Sequence, residues 1–159
     1  MAPTPPNSPG SLVLDASVVI AISSKETGRD ALATAVIMNY VNLGYRLYAP
    51  GVIIAEALFV LCGKKRCGEL SDTDYATAVA AFERVMASVL PPPNGDVSLI
   101  RRAEQIGNGY GCSRSADGIY IALAEELTAD GPTELLTFDQ GSPNQAAANA
   151  PTVTVKVLV

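Results

Sequence analysis

Residues 12–21 read LVLDASVVIA: an apolar triplet, one acid, then a second apolar run. The triplet Leu12-Val13-Leu14 is too short for a helix and apolar at every position, as a strand covered on both faces of a parallel sheet reads. Asp15 then stands at the carboxyl tip of that strand, and Ser17 opens a helix. The same order returns late in the chain, where Glu134 to Phe138 runs into Asp139. Two more strands are expected, Tyr45 to Ala49 closed by Pro50, and Thr152 to Leu158 with its alternating pattern; Val89 and Leu90 offer a brief fifth.

Helical patterns fill the intervals. Ala31, Ala35, Ile37, Met38 and Val41 recur at helical spacing between about Thr27 and Leu43, with Gly44 as the stop. Val52 to about Cys62 is apolar on nearly every side, and its length and its alanine and leucine content favour a central helix over a strand. Ser71-Asp72-Thr73-Asp74 caps a helix continuing through Tyr75, Val79, Phe82, Val85 and Met86. Leu99, Ala103, Ile106 and Tyr110 mark another, loosened at its end by Gly107, Gly109 and Gly111. Ser113 or Ser115 caps a last one, which carries Asp117 and then Tyr120, Ile121 and Ala124. Strands alternating with helices predict an α/β three-layer sandwich, a mostly parallel central sheet flanked by helices, with its functional crevice outside the carboxyl ends of the strands. Residues 1–11 are proline-rich and read as a disordered leader, and residues 12–159 as a single domain.

Composition narrows the chemistry. With 48% hydrophobic and 17% charged residues in 159, the chain buries enough to fold without disulfides or a structural metal. It contains no histidine, so imidazole bases, Ser-His-Asp triads and histidine-containing zinc sites are excluded. Sixteen acidic against eleven basic side chains give a net charge of -5, which disfavours nonspecific coating of DNA but leaves room for a basic rim beside a metal site. Three cysteines at Cys62, Cys67 and Cys112 form no disulfide framework and fit a reducing cytoplasm. The leader lacks the basic and apolar regions of a secretory signal, and the greasiest stretch, Gly51 to Gly63, is interrupted by Glu56 and too short to span a membrane.

Four of the sixteen acids sit in apolar settings: Asp15 after LVL, Glu56 inside GVIIAEALFVL, Asp117 before GIYIALA, and Asp139 after LLTF. A lone ionised carboxylate is costly to bury, so each needs a partner. In a parallel sheet Asp15 and Asp139 emerge at the same edge, where Glu56 and Asp117 can join from helices. Two carboxylates about 4 Å apart repel by roughly 4 kcal/mol at an effective dielectric near 20, and a divalent cation reverses that sign. Hard oxygen ligands make Mg2+ or Mn2+ the natural occupant. Each acid also has a plainer role open to it: helix N-cap for Asp15, turn opener for Asp139, first-turn acid for Asp117, an arginine partner for Glu56.

The ordered series LVLDASVVIA, APGVIIAEALFVL, SADGIYIALAEEL and LLTFD resembles the PIN-domain ribonucleases, and among them the VapC-type toxins of toxin-antitoxin pairs. The likeness runs from Leu12 to Leu158 and implies a metal-binding cluster of Asp15, Glu56, Asp117 and Asp139. It also implies hydroxyl support from Ser17 and Thr137, which otherwise read as ordinary capping and strand propensity. The chain departs from the pattern in Gly118, where alanine is commonest, in a long loop from Gln140 to Pro151, and in the added leader.

The resemblance implies metal-dependent hydrolysis of single-stranded or loop RNA, with a small antitoxin as partner. Lys64, Lys65 and Arg66, and Arg114 three positions before Asp117, are placed to border the crevice and contact RNA phosphates, although a solvated charged turn also explains the first three. Tyr110 and Tyr120 are candidates for base stacking or for core packing. Apolar surplus in Val36 to Val41 and Val52 to Val60 predicts a homodimer. A haloacid-dehalogenase-type phosphatase needs a second aspartate where Ser17 stands, and a receiver domain needs paired early aspartates that are missing. A noncatalytic PIN-fold interaction module is the competing reading from another class.

Overall fold

Leu12, Val13 and Leu14 are fully buried and form the middle of the sheet. The computed structural model describes residues 9–112 and 117–159. Its order is β1 (Ser11–Leu14), α1 (Ala16–Ser23), α2 (Arg29–Asn42), β2 (Arg46–Tyr48), α3 (Val52–Arg66), α4 (Asp72–Met86), a 3-10 turn (Val97–Leu99), α5 (Ile100–Gly109), α6 (Asp117–Thr128), β3 (Thr133–Thr137), α7 (Ser142–Asn149) and β4 (Thr154–Val157). The four strands lie in the order β2-β1-β3-β4, and every pairing is parallel. Val13 stands opposite Tyr48 on one side and Leu135 on the other. Leu90 extends the β2 edge by an isolated parallel bridge to Tyr48, its N–H donating to Leu47 O at 2.8 Å. The sheet flanked by helices is the expected α/β sandwich, and β1 opens at Ser11, one residue inside the stretch read as leader.

Local chemistry accounts for most boundaries. Ser71 Oγ accepts the Asp74 N–H at 3.0 Å and starts α4. Gly44, at φ +86°, turns the chain out of α2 while Tyr45 N–H donates to Tyr40 O at 3.0 Å. The stretch from Gln140 to Pro151, read as a long loop, instead contains α7. Its glycine, proline and asparagines look like breakers, but Pro143 sits in the first turn, where its missing N–H costs nothing, and Ala146-Ala147-Ala148 favours helix strongly.

The central place expected of α3 falls to α6. α6 is the central one, buried at Tyr120, Ile121, Ala122, Leu123, Ala124 and Leu127, and it lies on β1 and β3 and carries α5. α3 is a helix as expected but not a central one. Only Ile53, Ala57 and Leu61 are buried, while Ile54, Leu58, Phe59 and Val60 are exposed, Phe59 at 75%. Among the described residues no helix is long and apolar enough to cross a membrane.

Candidate metal and nucleic-acid site

Chain connections leave β1 and β3 in opposite directions across the sheet, β1 leading to β2 and β3 to β4, so the switch point falls between two neighbouring strands. Asp15 ends β1 there, its N–H donating to Leu136 O of β3 at 3.0 Å. It is also the N-cap of α1, Oδ2 accepting the Ser17 N–H at 3.2 Å. Two hydroxyls meet the same oxygen: Ser17 Oγ donates to it in a short bond, and Thr137 Oγ1 donates to it at 3.0 Å. Each hydroxyl in turn accepts a backbone N–H from the end of β3, Ser17 Oγ from Phe138 at 3.1 Å and Thr137 Oγ1 from Asp139 at 2.9 Å. This lattice holds the Asp15 and Asp139 backbones together and occupies Oδ2 of Asp15, while Oδ1 takes no part in it. Asp139 also opens a turn, its Oδ1 accepting the Gly141 N–H at 2.8 Å.

Asp15, Glu56 and Asp117 line one pocket of about 420 Å3, together with Ser17, Glu26 and Arg29 and the apolar Ala16, Ile20, Phe59 and Val60. Three of the four expected acids therefore share a cavity, and Asp139 joins them through Thr137 rather than as part of the wall. Among the described residues no arginine pairs with Glu56; the Tyr120 hydroxyl donates to its Oε2 at 2.5 Å. Burial raises the Glu56 carboxyl above its usual range, the Tyr120 hydrogen bond pulls it partly back, and the negative charge of Asp15 raises it again. Tyr120 is buried and its hydroxyl is pushed far up, by burial first and then by Glu56, so it remains a donor. Core packing and a role at the site thus fall on the same tyrosine. Among the described residues no three acidic or cysteine side chains are set as a ready-made metal cage; Asp15 Oδ2 and Glu56 Oε2 each face hydroxyl donors.

The basic residues divide. Lys64 pairs with Glu26 at 3.2 Å and Glu69 at 3.3 Å, Lys65 pairs with Asp72 at 3.0 Å and lies over the Tyr75 ring, and Arg66 is exposed. Arg114, with Ser113 and Ser115, lies outside the described residues. Among the described residues the cation on the pocket wall is Arg29, which had no role in the sequence reading. The charged turn Lys25-Glu26-Thr27-Gly28-Arg29-Asp30, following the helix that Asp15 starts, was the available signal.

Gly118, the departure next to Asp117, has a steric cause. A Cβ there would stand 2.8 Å from the Ala103 carbonyl oxygen, so α6 and α5 approach too closely for alanine.

The comparisons with known proteins agree with the fold. The crystal structure of PAE2754 from Pyrobaculum aerophilum is similar with a TM-score of 0.56 and 20% identity, covering 91% of this chain and 83% of that one, a likeness of fold. No curated protein sequence matches the chain. The family model for the PIN domain matches residues 12–147. PIN domains are generally nucleases and typically use divalent metals. By this match over most of its length, the chain belongs to the PIN domain family.

Proposed function

We propose that this protein is a ribonuclease that hydrolyses RNA phosphodiesters with Mg2+ or Mn2+, acting as the cytoplasmic toxin of a toxin-antitoxin pair. The observation that carries the reading is the convergence of Asp15, Glu56 and Asp117 on one pocket at the sheet's switch point, with Asp139 tied to Asp15 through Thr137. The donors are carboxylate oxygens, and the Glu56 proton affinity is raised in part by the Asp15 charge, so the pocket fits a hard dication. Asp15, Asp117 and Asp139 would hold it. A bound divalent ion lowers the pKa of water and offsets charge developing on the phosphate.

The remaining steps belong to side chains of the chain itself. Glu56 Oε1 accepts the proton of the attacking water, while Tyr120 holds Oε2 and fixes the carboxylate plane. Water attacks phosphorus in line, the bond from phosphorus to the 3'-oxygen breaks, the departing 3'-oxygen takes a proton from solvent water, and the products carry a 5'-phosphate and a 3'-hydroxyl. Ser17 and Thr137 keep Asp15 oriented through Oδ2, so that Oδ1 serves the reaction. An antitoxin that inserts an arginine among the acids blocks the pocket by charge-assisted hydrogen bonds. Exposed Met38 and Val41 on α2 and Ile54, Leu58 and Phe59 on α3 support a homodimer.

A second reading draws on the hydrogen bonds that already satisfy the acids: a noncatalytic PIN-fold interaction module whose carboxylates cap and brace. Incubation with structured RNAs and Mn2+ separates the two. The nuclease cleaves and Asp117→Asn does not; Mn2+ raises its melting temperature and Asp15→Asn abolishes the gain. Absence of both effects in the unmodified protein establishes the module instead.

A further inference from the structure

At the wall of the acid pocket one carboxylate stands between two cations. Glu26, in the link from α1 to α2, receives Lys64 Nζ on Oε1 at 3.2 Å and Arg29 Nη1 on Oε2 at 3.5 Å. Lys64 comes from the last turn of α3, and Arg29 is the first residue of α2. The Arg29 guanidinium also lies over the Phe138 ring, 4.8 Å from its centroid, which orients its plane.

Glu26 adds a further negative charge to a pocket already lined by Asp15, Glu56 and Asp117. Its two oxygens each face a separate cation, which is the arrangement the two non-bridging oxygens of a phosphodiester would adopt against the same pair. Arg29 also lines a second cavity of about 350 Å3 with Thr27, Phe138 and Gln140. A strand lying in the acid pocket and continuing into that cavity crosses Arg29. Ion pairs of this length, partly open to solvent, are weak and give way to a competing anion.

We propose that Arg29 and Lys64 form a clip for the RNA backbone phosphate next to the scissile one, and that Glu26 is an internal stand-in which that phosphate displaces. The identity of the ligand rests on the ribonuclease reading. In the free protein the stand-in neutralises the clip. On binding, Glu26 withdraws and each cation exchanges one carboxylate oxygen for one phosphate oxygen.

The test is fluorescence anisotropy with a short labelled single-stranded RNA in EDTA, where no cleavage occurs, over a series of salt concentrations. Glu26→Gln is expected to bind about tenfold tighter than the unmodified protein. Its salt dependence steepens by about 0.7 in logarithmic slope, the value for one added phosphate contact on a single strand. Glu69→Gln removes the same charge from the other partner of Lys64 but away from the pocket wall, and gains less than about twofold. Arg29→Ala or Lys64→Ala placed in the Glu26→Gln background returns the affinity to the starting value. Equal gains in Glu26→Gln and Glu69→Gln, a gain that survives loss of both cations, or no RNA binding in any variant overturns the clip. Thermal melts confirm that each variant is folded. Cleavage with Mn2+, assayed separately, tells the two readings apart: cutting without a Glu26 response removes the clip alone, and a Glu26 response without cutting removes the nuclease alone.

Discussion

Tyr120 Oη lies 2.5 Å from Glu56 Oε2, joining α6 to α3 across the pocket that both helices border. This hydrogen bond offsets only part of what burial and Asp15 do to that carboxyl. Between the ordinary value of 4.5 and the raised one, the folded protein keeps a proton that the unfolded chain releases. Stability is therefore lost as pH rises through that window. Glu56→Gln retains an acceptor for Tyr120 and removes the charge, so it raises the melting temperature of the metal-free protein at pH 7. The gain disappears below pH 4.5, where both forms are neutral in either state. Melting curves across pH check this, and an equal gain at every pH refutes it.

Thr137 links the two strand ends through one oxygen. Thr137→Val keeps the shape but removes the donor to Asp15 and the acceptor for the Asp139 N–H. The loss is expected to be about 1–3 kcal/mol, the range for leaving buried polar groups without a partner. Thr137→Ser keeps the hydroxyl and should recover most of it. Urea denaturation measures both.

Gly118→Ala sets two opposing effects against each other. Alanine favours an isolated helix by about 0.5–1 kcal/mol over glycine, but here its methyl meets the Ala103 carbonyl oxygen, and overpacking of this kind costs about 1–3 kcal/mol. The net change is destabilising, with a fall of about 2–4 °C in melting temperature per kcal/mol for a chain of this size.

Phe59 is 75% exposed beside Ile54 and Leu58. If that face is the dimer interface, Phe59→Lys converts dimer to monomer in sedimentation experiments while leaving the monomer's fold intact, since the side chain covers little of its own core. An unchanged sedimentation coefficient excludes this face.

The readable part of this molecule is the part written in local pattern. A buried apolar triplet followed by an acid identifies a strand end, and two such ends in a parallel sheet bring Asp15 and Asp139 to one edge. The Glu56 helix was also evident, but its partner was not, because Tyr120 lies 64 positions away and nothing in helical spacing distinguishes a hydroxyl aimed at a carboxylate from one filling a core. The same limit hid Glu26 and Arg29, whose importance comes from the packing of α1, α2 and α3. Burial is a property of neighbours as well, which is why α3 reads as central and is not, while α7 reads as loop because glycine and proline mark both a break and a first turn.

All four strands run the same way, so their amino ends, at Ser11, Arg46, Thr133 and Thr154, gather on the rim opposite the four acids. That far rim is a natural handle: a fluorophore or affinity tag anchored there stays away from the acid pocket, and the molecule can be tethered to a surface with that pocket facing the solution.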